Sequence, residues 1–338
     1  MRLYLTALAG LSMALAAVPT GGGASAQQAQ PFFAGKTIRV VTPTGPGGTV
    51  ALYSQLVTRY LRPHLAGGPA LVVQFMPGAG GVAAATYMMS AAKDGTFIGQ
   101  IHSSSVHAPL LEAASFDPTQ FNWLGSITPM YGVVSILNTA PAITLEQLRT
   151  VSVPLAASSR TNESSIIPEL INKLLGTKFK VVLGYRGGGD MFLAMENGEA
   201  FGRVASWDSW TSEKPDWLRD GRLVHLVQYG PLNTEIPDVP SLSKLLDGEN
   251  DRRLLEFLGM GMTLGRAFYM PPGNNGAPQK ELEAAFAQML KDTSFVEGAK
   301  SLRMAVEPRS GAEISEALKR AYNVTPGVLN ALKQLIAN

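Results

Sequence analysis

Three glycines in the segment KTIRVVTPTGPGGTV, residues 36–50, have the type and spacing of a loop that holds an anion. Gly45, Gly47 and Gly48 carry no Cβ, so a ligand can approach their backbone N–H groups closely. Thr49 comes next and is the predicted N-cap of the helix that follows. Because a helix N-terminus carries unpaired N–H groups and a partial positive charge, this loop predicts a binding site for a group such as a carboxylate.

A second glycine loop, PGAGG at residues 77–81, also lies between an apolar stretch and a predicted helix. Residues 78–83 fit the G-x-G-x-x-A pattern that is typical of dinucleotide-binding proteins. Two features disfavour a dinucleotide. Pro77 separates the strand from the glycines, and no acidic residue ends a following strand where it would reach a ribose. A tight turn that allows close packing of helix and sheet is the structural alternative.

Polar side chains follow several later strands, at the sheet edge where the glycine loops are expected. Those that could face a ligand are His102, Ser103, Ser104, Ser159, Thr161, Asn162, Tyr185, Arg186, Ser206 and Trp207. The hydroxyl and amide side chains at 159–162 are equally suited to capping a helix. Arg186 could hold a carboxylate bidentately or lie in solvent as a surface charge. Trp207 could line a pocket or fill the core.

The composition excludes several kinds of site. The 338-residue chain contains no cysteine, which excludes disulfides, thiolate metal sites and a cysteine nucleophile. Its four histidines lie in separate segments without metal-ligand spacing, and no serine has a recognisable nucleophile elbow. The formal net charge of +2, without a basic stripe, gives no electrostatic case for nucleic acid. We therefore predict no catalytic residue, metal, cofactor or nucleic-acid partner.

The elements that would position these loops alternate between strands and helices. β-branched residues at Ile38, Val40 and Val41 predict a buried strand before the first loop. The almost wholly apolar stretch at 70–75 predicts a second strand, of the kind that a parallel sheet requires. The order strand, loop, helix recurs in the second half, and strands predicted at 258–263 and 267–270 would return to the first half. This order predicts the α/β class.

Residues 1–26 have the features of a cleavable signal peptide. Arg2 supplies a positive charge, an apolar run follows at 3–18, and Ala24-Ser25-Ala26 is a small-residue cleavage site. An uncleaved membrane anchor is the alternative, which the shortness of the apolar run disfavours. We therefore predict that the protein is exported to the periplasm.

In their order and spacing, these stretches resemble the tripartite tricarboxylate transporter substrate-binding proteins, also called the Bug or TctC family. The loop at 43–48 is similar to the family's P-F-x-P-G-G, and the loop at 77–81 to the end of its N-R-P-G-A-G-G. Other stretches that resemble family motifs are Asp94-Gly95-Thr96, Ser158-Ser159 with Thr161-Asn162, Tyr185-Arg186-Gly187, residues 236–241 and residues 270–273. The resemblance covers the mature chain and rests on the ordered set of motifs.

The resemblance implies a two-lobed periplasmic binding protein of type II-like architecture, each lobe a mainly parallel sheet flanked by helices, with a ligand cleft between them. Residues 27–128 and 256–338 would form lobe 1, and residues 129–255 lobe 2. It also implies that both glycine loops hold a carboxylate through backbone N–H groups and water. The residues thus expected to bind ligand are Thr44, Gly45, Gly47, Gly48, Thr49, Gly78, Ala79, Gly80, Gly81, His102, Ser103, Ser104, Ser159, Thr161, Asn162, Tyr185, Arg186, Ser206 and Trp207.

The function implied by the resemblance is that of an extracytoplasmic solute receptor rather than an enzyme. It would bind a small di- or tricarboxylic or aromatic acid and, as a monomer, deliver it to one large and one small membrane subunit. Two alternatives remain. One is an exported α/β enzyme that uses the same cleft, and the other is a ligand-sensing subunit for a membrane receptor.

The chain departs from the family pattern near the cleft. It has Ala51 where many members have Asp, Phe75-Met76 where many have Asn-Arg, and Thr44 in place of the usual Phe. These differences remove polar groups from the first lobe's side of the cleft. Because no carboxylate remains there to meet an ammonium group, we expect a ligand other than an amino acid.

Overall fold

Two β-sheets organise the chain in the computed structural model, which describes residues 30–111, 114–273 and 276–337, with side chains up to residue 334. The expected signal peptide, residues 1–26, lies outside the described residues. The strands within the described ranges are β1 (Thr37–Thr42), β2 (Ala70–Phe75), β3 (Phe97–Gln100), β4 (Asn122–Ser126), β5 (Gly132–Leu137), β6 (Val153–Ala156), β7 (Phe179–Val182), β8 (Gly202–Ser206), β9 (Leu223–Tyr229), β10 (Ala267–Met270) and β11 (Arg309–Ser310).

Both sheets are mixed rather than mainly parallel. The first sheet has the order β11-β4-β10-β3-β1-β2 and the second the order β7-β6-β8-β5-β9. Parallel pairing is confined to β2-β1-β3 and β7-β6-β8. The other strands pair antiparallel with their neighbours. The predicted α/β class is confirmed. The expectation of mainly parallel sheets is corrected, because each sheet also contains strands that run antiparallel to their neighbours.

Helices cover both sheets. In the described residues the α-helices are α1 (Thr49–Tyr60), α2 (Val82–Ser90), α3 (Ala108–Leu111), α4 (Glu163–Leu175), α5 (Gly188–Glu196), α6 (Trp207–Glu213), α7 (Pro215–Arg219), α8 (Glu249–Leu264), α9 (Ala277–Met289), α10 (Thr293–Ser301), α11 (Gly311–Tyr322) and α12 (Pro326–Ala337). Short 3₁₀ turns occupy Arg62–His64, Ala79–Gly81, Ser103–Val106, Pro118–Gln120, Gln147–Arg149 and Leu242–Leu245.

The first predicted unit, β1 followed by α1, forms as the apolar pattern indicates. Ile38 and Val40 of β1 are fully buried, as are Tyr53 and Val57 of α1. All four belong to one core cluster between the sheet and its helices. Burying a side chain of this size stabilises the fold by about 1.5–3 kcal/mol. This packing fixes the start of α1 at the end of β1.

The strand predicted at 258–263 is wrong, because these residues lie inside α8. A short apolar run has the same hydrophobicity in a buried strand and in a buried helix, so its pattern alone does not separate the two. Gly261 lets α8 approach the turn at Ser103, since a Cβ there would lie 2.4 Å from the Ser103 carbonyl oxygen. Gly265, with φ +68°, ends the helix.

The chain passes from the first sheet to the second between β4 and β5 and returns between β9 and β10. Residues 31–338 form one compact unit by their contacts. The lobe boundaries given above stay a prediction, and α8 spans the one between 255 and 256. Among the described helices, none combines the length and the hydropathy needed to cross a membrane.

Candidate functional site

A cavity of about 280 Å³ lies where loops of the two sheets meet. The first sheet contributes the loops that follow β1, β2 and β3, and the second contributes β8 and the loops that follow β6 and β7. The carboxyl ends of parallel strands lie at one edge of a sheet, where α/β proteins commonly bind ligands. Both predicted glycine loops line this cavity, as the order of the elements predicts.

The backbone of the glycine loops requires glycine at defined positions. Gly47 and Gly48 have φ values of +83° and +91°, which L side chains rarely adopt. Gly80 has φ +60°, and a Cβ on it would lie 2.9 Å from Ser159 Oγ and 3.3 Å from Asn162 Nδ2. The second loop therefore abuts the start of α4 across the cavity edge, an approach that only glycine permits.

Four helices begin at the cavity wall. These are α1 and α2 from the first sheet and α4 and α5 from the second, and residues at their first positions or N-caps line the cavity. Each has nine or more residues. Because the partial positive charge of each terminus favours negative charge, the wall formed by the four is suited to an anion.

Thr49 does not cap α1, contrary to the sequence-based prediction. Gly48 is the N-cap, and Thr49 is the first helical residue. Its backbone N–H donates to Glu213 Oε1 at 2.9 Å, and its hydroxyl donates to the same oxygen. The Thr49 and Ser209 hydroxyl oxygens also lie within hydrogen-bond distance, 3.0 Å apart. Glu213 ends α6 on the second sheet, so these bonds connect the two sides of the cavity.

Arg203, in β8, is a buried cation that lines the cavity. Its side chain is 7 % exposed, donates from Nη1 to the Gly188 carbonyl at 3.0 Å, and lies over the Phe192 ring at 4.6 Å. Burial lowers the pKa of its guanidinium, which stays protonated. Its Nε has no hydrogen-bond partner within the described chain. A buried guanidinium with a free donor is suited to holding an anion.

Arg266 also lines the cavity, but its charge is already paired. Its Nη2 donates to Asp208 at 2.9 Å and to Ser206 Oγ at 2.7 Å, and its Nε donates to Asp208 at 3.2 Å. The side chains of Arg266 and Asp208 are 6 % and 11 % exposed. The pair is therefore part of the structure of the cavity wall. Of the two buried arginines, Arg203 is the one whose charge is not balanced by an adjacent carboxylate.

Glu163, the first residue of α4, brings a carboxyl group into the cavity wall. Ser103 Oγ donates to it at 2.7 Å, and the Glu163 backbone N–H donates to Ser104 Oγ at 3.0 Å. Burial is the main cause that raises the pKa of Glu163 to about 7, and the Ser103 hydrogen bond, Arg266 and Arg203 act in the opposite direction. The group therefore changes charge near neutral pH.

Several polar atoms of the cavity wall have no partner among the described residues. They are Thr44 Oγ1, Ser158 Oγ, Asn162 Nδ2 and Arg203 Nε. A buried polar group without a partner costs about 1–3 kcal/mol, and most such groups in proteins are paired. They are therefore positions where a bound solute or water would supply the missing partner.

Most residues expected to bind ligand lie on this cavity. They are Thr44, Gly47, Gly48, Thr49, Gly78, Ala79, Gly80, Gly81, His102, Ser103, Asn162, Tyr185, Arg186 and Ser206. The His102 ring is neutral, because burial lowers its pKa to about 4. The lining as described does not include Gly45, Ser104, Ser159, Thr161 or Trp207.

Two of the candidates that the sequence singled out have partners elsewhere. The Arg186 side chain is 75 % exposed and pairs with Asp190 at 2.9 Å, so it lies at the rim as a solvated charge. The Trp207 indole N–H donates to Glu235 at 3.0 Å, and its ring packs edge-on against His225. Neither arrangement depends on a ligand.

Sequence reasoning missed the four charged residues that dominate the cavity: Glu163, Arg203, Glu213 and Arg266. An arginine inside the apolar strand FGRVAS was a signal that could have identified Arg203. Glu213 carries no local signal, since it is 164 residues from Thr49 in sequence. The expectation that the first lobe's side offers no carboxylate to an ammonium group stays a prediction, and Glu163 and Glu213 bring carboxyl groups from the second sheet's side. Among the described residues, no cluster of His, Asp and Glu is arranged to hold a metal ion.

The fold is that of the periplasmic binding proteins. BugD, a periplasmic binding protein, superimposes with a TM-score of 0.71 at 18% identity, over 89% of this chain and 97% of that one. MatC from Rhodopseudomonas palustris, solved with bound malate, gives 0.69 at 19% identity, over 89% and 99%. A second R. palustris protein, solved with adipate, gives 0.67 at 16% identity, over 89% and 97%.

Other similar structures are those of a periplasmic transporter and of a TctC solute binding protein from Polaromonas. No protein-family model matches the chain, and no curated protein matches its sequence. The similarity therefore establishes the fold, and the evidence on function comes from the residues of the cavity.

Proposed function

We propose that this protein is an extracytoplasmic solute receptor that binds a small carboxylate, of the kind that serves tripartite tricarboxylate transporters. The observation that carries the proposal is Arg203, a buried guanidinium with an unpartnered Nε in a cavity where four helices begin. Helix N-termini and a buried arginine together stabilise one negatively charged group. The carboxylates bound to the two R. palustris proteins support this ligand class.

The wider role follows from the same proposal. Residues 1–26 would direct export to the periplasm, residues 27–128 with 256–338 and residues 129–255 would form the two lobes, and the monomer would hand its solute to a large and a small membrane subunit. The protein would act by binding and closure, without catalysis. A sensing role would use the same cavity, and genes for two membrane subunits or for a sensor kinase beside this one would distinguish transport from signalling.

Isothermal titration calorimetry with mono-, di- and tricarboxylates and aromatic acids tests the proposal. We expect one-to-one binding of at least one carboxylate. Charge-assisted hydrogen bonds contribute about 1.5–3 kcal/mol, so the substitution Arg203→Met should weaken binding by roughly 10- to 150-fold. Arg186→Met is the matched control, because Arg186 lies at the rim and is paired with Asp190; its affinity should stay within a factor of about two.

The results for the two variants distinguish an error in the assigned binding residue from an error in the proposed function. If no acid binds the folded wild-type protein, the receptor proposal fails. If Arg186→Met loses affinity and Arg203→Met does not, the protein is a receptor whose anion anchor is Arg186. Circular dichroism of both variants verifies that they are folded.

A further inference from the structure

Glu213 occupies the place, at the start of α1, where the sequence predicted a bound ligand. The N-terminus of α1, after the first glycine loop, was expected to receive a solute carboxylate. In the structure the carboxylate there belongs to Glu213, which accepts hydrogen bonds from the Thr49 backbone N–H at 2.9 Å and from the Thr49 hydroxyl. A Cβ placed on Gly48 would lie 3.7 Å from Glu213 Oε2. The side chain therefore covers the open face of the loop.

Of the three arginines that line the cavity in the described chain, only Arg203 has no close ion pair and could bind the anionic group of a solute. Arg266 is paired with Asp208, and Arg186 is paired with Asp190 at the rim. Arg203 has no ion pair within 4 Å among the described residues and keeps an unpartnered Nε, although Glu213 and Glu163 act on its charge from a greater distance. A carboxylate needs a partner once it leaves water. The wall supplies one guanidinium that has no close ion pair, supported by the start of α5.

A second carboxylate on the solute would meet like charge. Glu213 covers the start of α1, and Glu163 faces the cavity from the start of α4. The Glu213 carboxylate favours a hydrogen-bond donor or a cation and opposes another anion, and Glu163 does the same where it is ionised. The first-sheet side of the cavity is therefore neutralised by the chain itself.

We infer that the cavity selects a solute with a single carboxylate, whose other end is uncharged or cationic, and that Glu213 is the residue that determines this specificity. Glu213 acts as a built-in second carboxylate. This inference rests on the proposed receptor function and narrows its ligand class. It sets this chain apart from the structurally similar proteins solved with malate and adipate.

Pairs of acids with the same carbon chain test the inference. Hexanoate is compared with adipate, pentanoate with glutarate, and 4-aminobutyrate with succinate, by calorimetry and by ligand-induced change in melting temperature. For the wild-type protein we expect at least one monocarboxylate to bind about tenfold or more tightly than its dicarboxylate partner.

Two substitutions identify the residue responsible. Glu213→Ala vacates the start of α1, and it should raise the affinity for dicarboxylates relative to monocarboxylates by about tenfold. Glu213→Gln keeps the oxygen acceptor for Thr49 without the charge and should shift the ratio in the same direction. Glu196→Ala is the control, because Glu196 pairs with Lys214, next to Glu213 in the chain, and does not line the cavity; its ratio should equal that of the wild type.

The outcomes are distinct. A wild-type preference for dicarboxylates overturns the inference and leaves the receptor function standing. Equal weakening of both acid classes in Glu213→Ala also overturns it, because Glu213 would then be a closure contact without influence on specificity. If no acid binds, either in these pairs or in the wider panel of carboxylates and aromatic acids, the receptor function itself fails. If Glu213→Ala does not fold, the inference is still tested by the preference of the wild-type protein and by the ratio measured for Glu213→Gln.

Discussion

Glu163 shows how one residue can acquire a property that its type does not predict. A glutamate at the first position of a helix is ordinarily ionised and stabilised by the helix dipole. Here burial in the cavity wall dominates and raises the pKa of the carboxyl group from 4.5 to about 7, although Ser103, Arg266 and Arg203 favour its charged form. Desolvation therefore outweighs three stabilising interactions.

This raised pKa makes the stability of the protein depend on pH. The folded state holds a proton that the unfolded chain releases, so the contribution to the free energy of unfolding is complete below pH 4.5 and is lost as pH rises to about 7. The full loss amounts to roughly 3 kcal/mol. Buried His102, with its lowered pKa, contributes in the opposite direction over the same range, so the difference between two proteins is the informative quantity. In urea unfolding between pH 4.5 and 8, the stability of Glu163→Gln should rise relative to that of the wild-type protein by up to the amount of this loss.

The control for this prediction is Glu169→Gln on the same helix, whose stability should follow the pH profile of the wild-type protein. Parallel pH profiles for the wild-type protein and Glu163→Gln would show that Glu163 titrates as an exposed carboxyl group does.

At the scale of elements, the site is built by a repeated junction of strand, glycine-rich or polar loop and helix. The junction places backbone N–H groups at the end of a sheet without using a charged side chain. Its geometry depends on glycines with positive φ, such as Gly80 at +60°. The two sides of the cavity meet at these junctions, where Gly80 lies against Ser159 and Asn162.

Replacing Gly80 with valine should therefore impair binding more than folding. The left-handed backbone costs about 1–2 kcal/mol for a residue with a Cβ, and the new side chain would collide with Ser159 Oγ. We expect affinity for the bound carboxylate to fall by about tenfold or more, measured by calorimetry, with a melting transition that stays cooperative.

Gly45→Val is the matched control within the first loop. Gly45 does not line the cavity as described, has no positive φ, and has no atom within 4 Å of a placed Cβ. Its variant should bind as the wild type does. Equal affinities for the two variants and the wild type would exclude the loops from the binding site.

At the scale of the whole molecule, the structure is closed around its cavity. Thr49 is bonded to Glu213, and Ser103 and Ser104 are bonded to Glu163, so hydrogen bonds join the two sides. Arg203 Nε and Asn162 Nδ2, which line this cavity, have no partners in the described chain. Such buried donors disfavour the closed form unless a solute satisfies them.

We therefore expect the ligand-free protein in solution to be more open than this structure. A solute that binds the closed form better shifts the population towards it. Small-angle X-ray scattering should show a radius of gyration that decreases when a bound carboxylate is added to saturation. Arg203→Met, given the same acid concentration, should show a smaller decrease. An unchanged radius in the wild-type protein would contradict hinge closure.

Much of the architecture was predictable because it depends on local properties of the chain. The β-branched run Ile38–Val41, the glycines after it and the apolar spacing of α1 lie within one short segment, and each has a steric or hydrophobic cause that acts over a few residues. The same holds for the loop at 77–81, whose glycines predicted a tight turn. Local pattern failed at 258–263, where an apolar run fits a buried helix as well as a strand.

The sequence by itself determined which segments form strands, glycine loops and helices, and therefore that anion-binding N–H groups gather at one edge of a sheet. The tertiary structure alone decided which charges face those groups. Arg203, Glu163 and Glu213 come together only when the second sheet and its helices pack, and Glu213 reaches Thr49 of the first sheet's helix α1 across 164 residues of chain. The physical reason is that backbone propensities act between sequence neighbours, whereas Coulomb interaction and burial depend on distances in space that only folding fixes.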